Sequence, residues 1–315
     1  MSLDPQARAL LDRIEDSDIP AYHEVSPIEA RKLYDQACEA AKGNPPQPAE
    51  INDITMPGPE SELTARVYRP NDAANLPIMV YFHGGGFTIG SLDSHDAVCR
   101  TLCVEADTVI VSVDYRLAPE NKYPAAVEDA WAATNWVAVN AEILGGDPCQ
   151  VGVGGDSAGG TLAAVVCLMA VEAGSPHLEF QLLIYPGMDM SCSFPSHDIF
   201  GKGYRLTTDL IDWFYKKYFP LEADFMHWHA TPLAAPKDLV KGLPATFILS
   251  AGYDPLQDEN KGYAIKLMQE EVPMLSKHYP GMIHGFITMP GYLDEANIAL
   301  SKCAEMMRWG YKFEQ

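Results

Sequence analysis

The sequence has few basic residues and no long apolar stretch. Lysine and arginine number 22 against 43 aspartates and glutamates, which gives a net charge of −21 and a pI near 4.7. Nucleic-acid binding depends on basic side chains that neutralise phosphates, so this balance argues against a nucleic-acid partner and against an anionic membrane surface. The longest apolar run, 162–171, is far shorter than the about 20 residues that a membrane span needs.

The sequence also lacks a disulfide or metal-binding pattern. Its seven cysteines are odd in number and include no Cys-x-x-Cys pair, so we expect free thiols in a reducing cytoplasm. The first residues show no basic region followed by an apolar stretch, and we therefore expect no secretory signal. His227 and His229 form a His-Trp-His segment without a nearby carboxylate cluster, so no metal site is predicted.

Strand-like apolar runs alternate with helical patterns after residue 48. Continuous apolar runs at 78–82 and 109–113 are typical of strands that are covered on both faces. Further strands are predicted at 65–69, 151–154, 181–185, 246–251 and 275–279. Helices are predicted at 95–105, 125–139, 158–172, 208–218, 256–271 and 294–311. This alternation predicts the α/β class, with a mostly parallel sheet between two layers of helices.

Two segments break the alternation and suggest a separate layer. Ser26-Pro27-Ile28-Glu29 has the composition of a helix start, and Gly43 is placed to end that helix. The aromatic-rich interval that begins at Gly187 interrupts the later part of the chain. We therefore divide the chain into N-terminal cap helices (1–48), a first part of the core (49–186), a cap insertion (187–230) and a second part of the core (231–315).

Gly155-Asp156-Ser157-Ala158-Gly159 places a serine between a predicted strand and a predicted helix. This is the pattern of a nucleophile elbow, a sharp turn that exposes a reactive hydroxyl. The serine is strained there, and the flanking positions approach neighbouring backbone so closely that they must be glycine. The following helix directs the positive end of its dipole at the site. We predict Ser157 as a catalytic nucleophile.

His83-Gly84-Gly85-Gly86-Phe87 follows the strand predicted at 78–82. Three glycines allow a loop to present backbone N–H groups to a developing oxyanion, and such a loop is associated with lipases and esterases. A tight strand exit is the alternative. A phosphate-binding loop is disfavoured because no Gly-Lys-Ser/Thr follows. His83 is more consistent with organising the loop than with acting as a base.

A serine nucleophile needs a base and an acid. Among the nine histidines, His284 follows a predicted strand in a loop, where it can reach the carboxyl edge of a parallel sheet. Asp254 follows the strand predicted at 246–251, although an aspartate before Pro255 is also a good helix N-cap. Asp258 is the rival acid. The order Ser157, Asp254, His284 is that of α/β-hydrolases.

Together these segments resemble the hormone-sensitive lipase-like family of bacterial α/β-hydrolase esterases, in the subtype with aspartate before the serine. The Tyr115-Arg116-Leu117-Ala118-Pro119-Glu120 and Tyr279-Pro280-Gly281-Met282 segments are similar to this family too. The resemblance implies an α/β-hydrolase fold, with a mostly parallel eight-stranded sheet under a helical cap. It implies the triad Ser157, Asp254 and His284, an oxyanion hole from the N–H groups of Gly84, Gly85 and Ala158, and no cofactor or metal.

The expected function is hydrolysis of short- to medium-chain carboxylic esters. The strong negative charge favours a small neutral ester as substrate. Because relatives in this family often form dimers, we also expect a homodimer. Hydrolysis of amides, carbamates or lactones on the same scaffold stays an alternative, and a non-catalytic small-molecule receptor is a more remote one. Candidate pocket-lining residues, with ordinary cap packing as the alternative, are Phe87, Tyr185, Met188, Phe200, Tyr204, Trp213 and Phe214.

Overall fold

The computed structural model describes residues 2–312, and its centre is one eight-stranded sheet. Each predicted strand is present, most of them longer at one or both ends than the sequence indicates. The strands are β1 (Glu50–Pro57), β2 (Glu62–Arg69), β3 (Leu76–Phe82), β4 (Val109–Asp114), β5 (Gly146–Asp156), β6 (Phe180–Ile184), β7 (Ala245–Tyr253) and β8 (Met274–Ile283).

The strands lie in the order β1-β2-β4-β3-β5-β6-β7-β8. The pairs β1–β2 and β2–β4 are antiparallel, and every other neighbouring pair is parallel. The mostly parallel eight-stranded sheet is therefore confirmed. Because parallel strands end at the same edge, the residues that follow β3, β5, β7 and β8 come together there.

Helices cover both faces of the sheet, as expected for the α/β class. They are α1 (Pro5–Glu15), α2 (Pro27–Ala41), α3 (Asp96–Ala106), α4 (Ala125–Asn140), α5 (Ala158–Ala173), α6 (Pro195–Phe200), α7 (Thr208–Tyr218), α8 (Lys237–Lys241), α9 (Gln257–Gln269) and α10 (Asp294–Gly310). Residues of α4, α5 and α9 pack with Ile78 and Val80 on one face, whereas residues of α3 and α10 pack with Met79 and Tyr81 on the other. Within residues 2–312 there is no helix whose length and apolar character would allow it to cross a membrane.

The sequence pattern did not reveal β1. Its side chains are mostly exposed or half-buried, because it lies at the outer edge of the sheet. An edge strand in contact with solvent needs no apolar run, so its sequence, Glu50–Pro57, gives only a weak strand signal.

Helix α2 and the 187–230 interval meet above the carboxyl edge of the sheet, whereas the buried residues of α1 pack with the sheet core. The apolar cluster above the sheet joins Tyr34 and Cys38 of α2 to Leu210 and Phe214 of α7, together with Leu206 just before α7. The predicted N-cap is present: the Ser26 side chain accepts a hydrogen bond from the Glu29 N–H at 3.2 Å. This packing supports the predicted cap of two segments, whose exact boundaries stay a prediction.

Candidate active site

Ser157, His284 and Asp254 meet at the carboxyl edge of the sheet, where they follow β5, β8 and β7. The His284 Nε2 atom lies 2.8 Å from the Ser157 Oγ atom. The His284 Nδ1 atom lies 2.8 Å from the Asp254 Oδ2 atom. Asp254 is fully buried, and its Oδ1 atom accepts the Leu256 N–H at 2.9 Å. In this arrangement the imidazole can accept the serine proton while the carboxylate holds the other ring nitrogen.

The rival carboxylate, Asp258, lies elsewhere. Its Oδ2 atom accepts the Ser196 N–H at 3.1 Å, and its Oδ1 atom lies 3.0 Å from the Lys261 Nζ atom. Asp258 therefore joins α9 to the start of α6 and makes no hydrogen bond with His284. The geometry favours Asp254 as the partner of the histidine.

The turn at Ser157 has the backbone that a nucleophile elbow requires. Ser157 has φ 54° and ψ −122°, a conformation that non-glycine residues rarely adopt. A Cβ atom on Gly155 would collide with the backbone of Gly159, and one on Gly159 would collide with the Phe82 carbonyl oxygen. The two glycines are therefore needed for close backbone approach, and they hold the serine in its strained conformation at the start of α5.

The structure corrects the prediction for Gly84. Its N–H donates to the Asp156 Oδ1 atom at 3.0 Å and also lies 3.3 Å from the His95 Nε2 atom. Gly84 lines neither of the two cavities at Ser157. An N–H that is already committed to a buried carboxylate cannot bind an oxyanion, so Gly84 is not a donor of the hole.

Gly85 and Gly86 are better placed, and Ala158 keeps its predicted role as a candidate. Gly85 has φ 123° and Gly86 has φ 58°, values that favour glycine. Both line a cavity together with Ser157, as does Ala158. Within residues 2–312, the N–H groups of Gly85, Gly86 and Ala158 make no hydrogen bond to other protein groups. The candidate oxyanion hole therefore consists of Gly85, Gly86 and Ala158.

His83 organises the loop from beneath. Its ring is fully buried and stacks on Tyr115 at a centroid distance of 4.4 Å, while the Tyr115 hydroxyl donates to the His83 carbonyl oxygen at 2.7 Å. Burial and the neighbouring His95 lower the pKa of His83 to about 3. His83 therefore stays neutral at physiological pH and is too weak a base to activate a serine.

Asp156 anchors the loop from the other side. It is buried, and its Oδ1 atom accepts the Tyr81 hydroxyl at 2.9 Å and lies 3.1 Å from the His95 Nε2 atom. Burial alone would raise the pKa of Asp156, but His95 and the hydrogen bonds from His95 and Tyr81 hold it below its ordinary value. An ionised Asp156 thus fixes the Gly84 N–H and with it the position of the glycine loop.

Two cavities meet at Ser157. The first has an empty volume of about 400 Å³ and is lined mainly by apolar residues: Gly86, Phe87, Ser157, Ala158, Thr161, Gly187, Met190, Leu206, Ile211, Phe214, Tyr215 and Leu256. The second has an empty volume of about 480 Å³ and carries more polar groups: Tyr22, Tyr34, Gly85, Gly86, Ile89, Asp156, Ser157, Arg205, Leu206, Leu210, Phe214, His284 and Gly285. The serine hydroxyl can therefore be reached from two sides.

Only Phe87 and Phe214 of the seven predicted pocket residues line these cavities. Tyr185 and Met188 are fully buried in the apolar cores. Phe200 and Tyr204 pack around Tyr253, and Trp213 packs against Lys217. Arg205 and Tyr22 were missed, because no local pattern in the sequence shows which face of the cap turns inward.

Comparisons with known proteins agree with this geometry. A family model described as alpha/beta hydrolase fold matches residues 79–288. Carboxylic ester hydrolase LipN of Mycobacterium tuberculosis is 39% identical over 295 residues, which cover 91% of this chain and 78% of that protein. The structure of an ester hydrolase from the metagenome of Lake Arreo is similar with a TM-score of 0.95 and 38% identity, covering 99% of this chain and 100% of the other. A hyperthermophilic esterase from the archaeon Pyrobaculum calidifontis is similar with a TM-score of 0.91 and 38% identity, covering 98% and 99% of the two chains. The chain therefore belongs to the hormone-sensitive lipase-like family of α/β-hydrolase esterases.

Proposed function

We propose that the protein is a serine carboxylesterase that hydrolyses short- to medium-chain carboxylic esters through an acyl-enzyme intermediate. The observation that carries this proposal is the continuous contact from Asp254 through His284 to Ser157, with two separations of 2.8 Å, at the point where two cavities meet. The family membership supports the same reaction.

The first half of the reaction forms the acyl-enzyme. His284 accepts the proton of the Ser157 hydroxyl as the serine oxygen bonds to the acyl carbon, and Asp254 stabilises the resulting imidazolium. The N–H groups of Gly85, Gly86 and Ala158 bind the oxyanion, and loss of one such donor typically lowers turnover by about 10²–10³. His284 then protonates the leaving alcohol as the ester C–O bond breaks. Water repeats the cycle on the acyl-enzyme.

One cavity is proposed to hold the alcohol part of the substrate and the other its acyl chain. The leaving alcohol must lie beside His284, which protonates it, and His284 lines the second cavity. We therefore call the second cavity the alcohol cavity. The first, mainly apolar cavity then receives the acyl chain, and we call it the acyl cavity. Its mainly apolar lining suits an acyl chain, and Phe214, Ile211 and Leu256 close in on it.

The alternatives use the same nucleophile. An amide, carbamate or lactone also passes through an oxyanion that the glycine loop can bind, so rates on a panel of esters, amides and lactones distinguish them. Esters are favoured because the matched relatives and solved structures carry ester-hydrolase names. A receptor function is disfavoured, since a receptor has no need of a histidine 2.8 Å from the serine hydroxyl.

Replacing the nucleophile tests the proposal. We expect Ser157→Ala to lower hydrolysis of p-nitrophenyl butyrate by about 10³-fold or more, because the covalent step is removed. The matched control is Ser17→Ala, at a serine two residues after the end of α1 that caps the Ile14 carbonyl oxygen, and it should keep full activity. Near-UV circular dichroism checks that both variants fold. Turnover close to wild type in Ser157→Ala would exclude the proposed mechanism.

We also propose a cytoplasmic location. The structure has seven free cysteines, five of which are buried, and free thiols persist in reducing compartments. Fractionation of the source cells tests this proposal, and recovery of the protein outside the cytoplasm would contradict it.

A further inference from the structure

Arg205 is a cation in the alcohol cavity. It lies on the cap segment between α6 and α7 and lines the alcohol cavity together with Ser157 and His284. Its Nη1 atom donates to the Gly285 carbonyl oxygen at 3.1 Å and lies 3.5 Å from the His284 carbonyl oxygen. The guanidinium therefore sits against the loop that carries the catalytic histidine.

No carboxylate neutralises this guanidinium. None of the salt bridges formed by residues 2–312 includes Arg205. Asp156 lines the same cavity, but its oxygens contact His95, Tyr81 and the Gly84 N–H. Arg31 and Arg116, by contrast, pair with Glu120 and Asp129.

The remaining neighbours of Arg205 carry no charge. The nearest acidic groups are the phenols of Tyr22 and Tyr34 and the thiol of Cys38. Burial raises the pKa values of the Tyr22 and Tyr34 phenols above those of free phenols, and it raises the pKa of the Cys38 thiol to about 11. At neutral pH these groups are protonated, so Arg205 is a permanent cation with no carboxylate in direct contact, although the ionised Asp156 lines the same cavity.

Arg205 is partly exposed, and a charged group that is partly removed from water is stabilised when a partner compensates it. The carbonyl oxygens of His284 and Gly285 occupy one nitrogen of a guanidinium that has five N–H donors in a fork suited to a carboxylate. We infer that Arg205 binds a carboxylate on the alcohol part of the substrate, so that the preferred substrates are acyl esters of short hydroxy acids. This inference rests on the proposed ester hydrolysis and names its substrate class.

The inference opposes the expectation of a neutral substrate that net charge alone suggests. The charge of −21 comes largely from surface carboxylates, whose field is screened within a Debye length of about 8 Å at physiological ionic strength. Arg205 acts inside the cavity, where screening is weaker and direct hydrogen bonds form. The local cation therefore outweighs the distant surface charge once the substrate is bound.

A matched pair of esters tests the inference. We compare kcat/KM for 2-acetoxypropanoate with kcat/KM for 2-acetoxypropanamide, which has the same acyl group and nearly the same shape but no charge. We expect wild type to favour the carboxylate, and we expect Arg205→Gln to lower the ratio of the two kcat/KM values by about tenfold or more, as for loss of a charge-assisted hydrogen bond. Arg205→Lys keeps the charge and should retain part of the preference.

The ratio separates binding from a structural role. If Arg205 only supported the His284 loop, Arg205→Gln would lower both rates equally and leave the ratio unchanged, and that result overturns the inference. Should Arg205→Gln be inactive on both esters, inhibition of the wild-type enzyme decides: lactamide inhibiting as strongly as lactate overturns the inference, and stronger inhibition by lactate supports it. Hydrolysis of p-nitrophenyl butyrate in the same preparation tests the proposed ester hydrolysis separately.

Discussion

Asp254 and Asp258 are four residues apart, yet they contact different parts of the molecule. Asp254 is fully buried against His284, whereas Asp258 joins the cap helix α6 to α9. The sequence offers both as the acid, since either one follows β7 closely. The direction in which each side chain leaves the backbone separates them, and that direction exists only in the folded chain.

Two isosteric variants test the assignment of the acid. We expect Asp254→Asn to lower kcat by about 10³–10⁴, because an amide at this position favours the wrong imidazole tautomer. Asp258→Asn keeps the volume and lies on the same stretch of chain, so it is the matched control and should stay close to wild type. Initial rates on p-nitrophenyl butyrate measure both. A larger loss in Asp258→Asn than in Asp254→Asn would reverse the assignment.

Helix α7 closes the site from above. A Cβ atom on Gly86 would collide with the Phe214 ring, so this ring lies directly on the glycine loop. Phe214 also lines both cavities. Trp213, the preceding residue on α7, lines neither of them and covers Lys217 instead. Phe214 therefore shapes both cavities, and Trp213 shapes neither.

Removing the Phe214 ring should change acyl-chain preference. We expect Phe214→Ala to move the peak of a p-nitrophenyl ester series toward longer chains, because the acyl cavity gains the volume of the ring. Trp213→Ala removes as large a side chain from the same helix and should leave the peak in place while lowering stability. The measurement is kcat/KM from acetate to dodecanoate. An unchanged peak in Phe214→Ala, or an equal shift in Trp213→Ala, contradicts the assigned acyl cavity.

The sequence predicted the elements around the site better than those at the rim. The buried strands β3 and β4 have continuous apolar runs, so they were visible, whereas the exposed edge strand β1 was not. Likewise α7 was predicted with its observed bounds, Thr208–Tyr218, from its amphipathic pattern. Which aromatic residue of that helix faces the cavity depends on how the cap rests on the sheet.

The eight-stranded sheet ends in an exposed strand, β8. Residues 275–278 of β8 are exposed, and Leu275 keeps 42% of its surface in contact with solvent. An unpaired edge offers free backbone hydrogen-bonding groups to a second copy. A homodimer through β8 is therefore our proposal for the quaternary structure. The charge of −21 on each chain opposes association, and salt should weaken that opposition.

Light scattering after size-exclusion chromatography tests this proposal. We expect twice the chain mass of 34.6 kDa at about 0.15 M salt and a shift toward monomer at low salt. Leu275→Lys should weaken the dimer, because it places a charge at the edge. Leu221→Lys, at a fully exposed position in the cap, adds the same charge elsewhere and should leave the dimer intact. A monomer at every salt concentration would contradict the proposal, as would equal effects of the two variants.

Short motifs were enough to predict the candidate catalytic residues of this protein. The serine elbow and the glycine loop depend on local backbone geometry, which short motifs encode directly, and Asp254 and His284 were candidates because each follows a predicted strand. Only the folded chain shows which groups line the cavities at Ser157. The tertiary structure committed the Gly84 N–H to Asp156, placed Gly86 at the site, and brought Arg205 beside His284 without a carboxylate. Contacts between distant segments set these directions, and no stretch of sequence contains them alone.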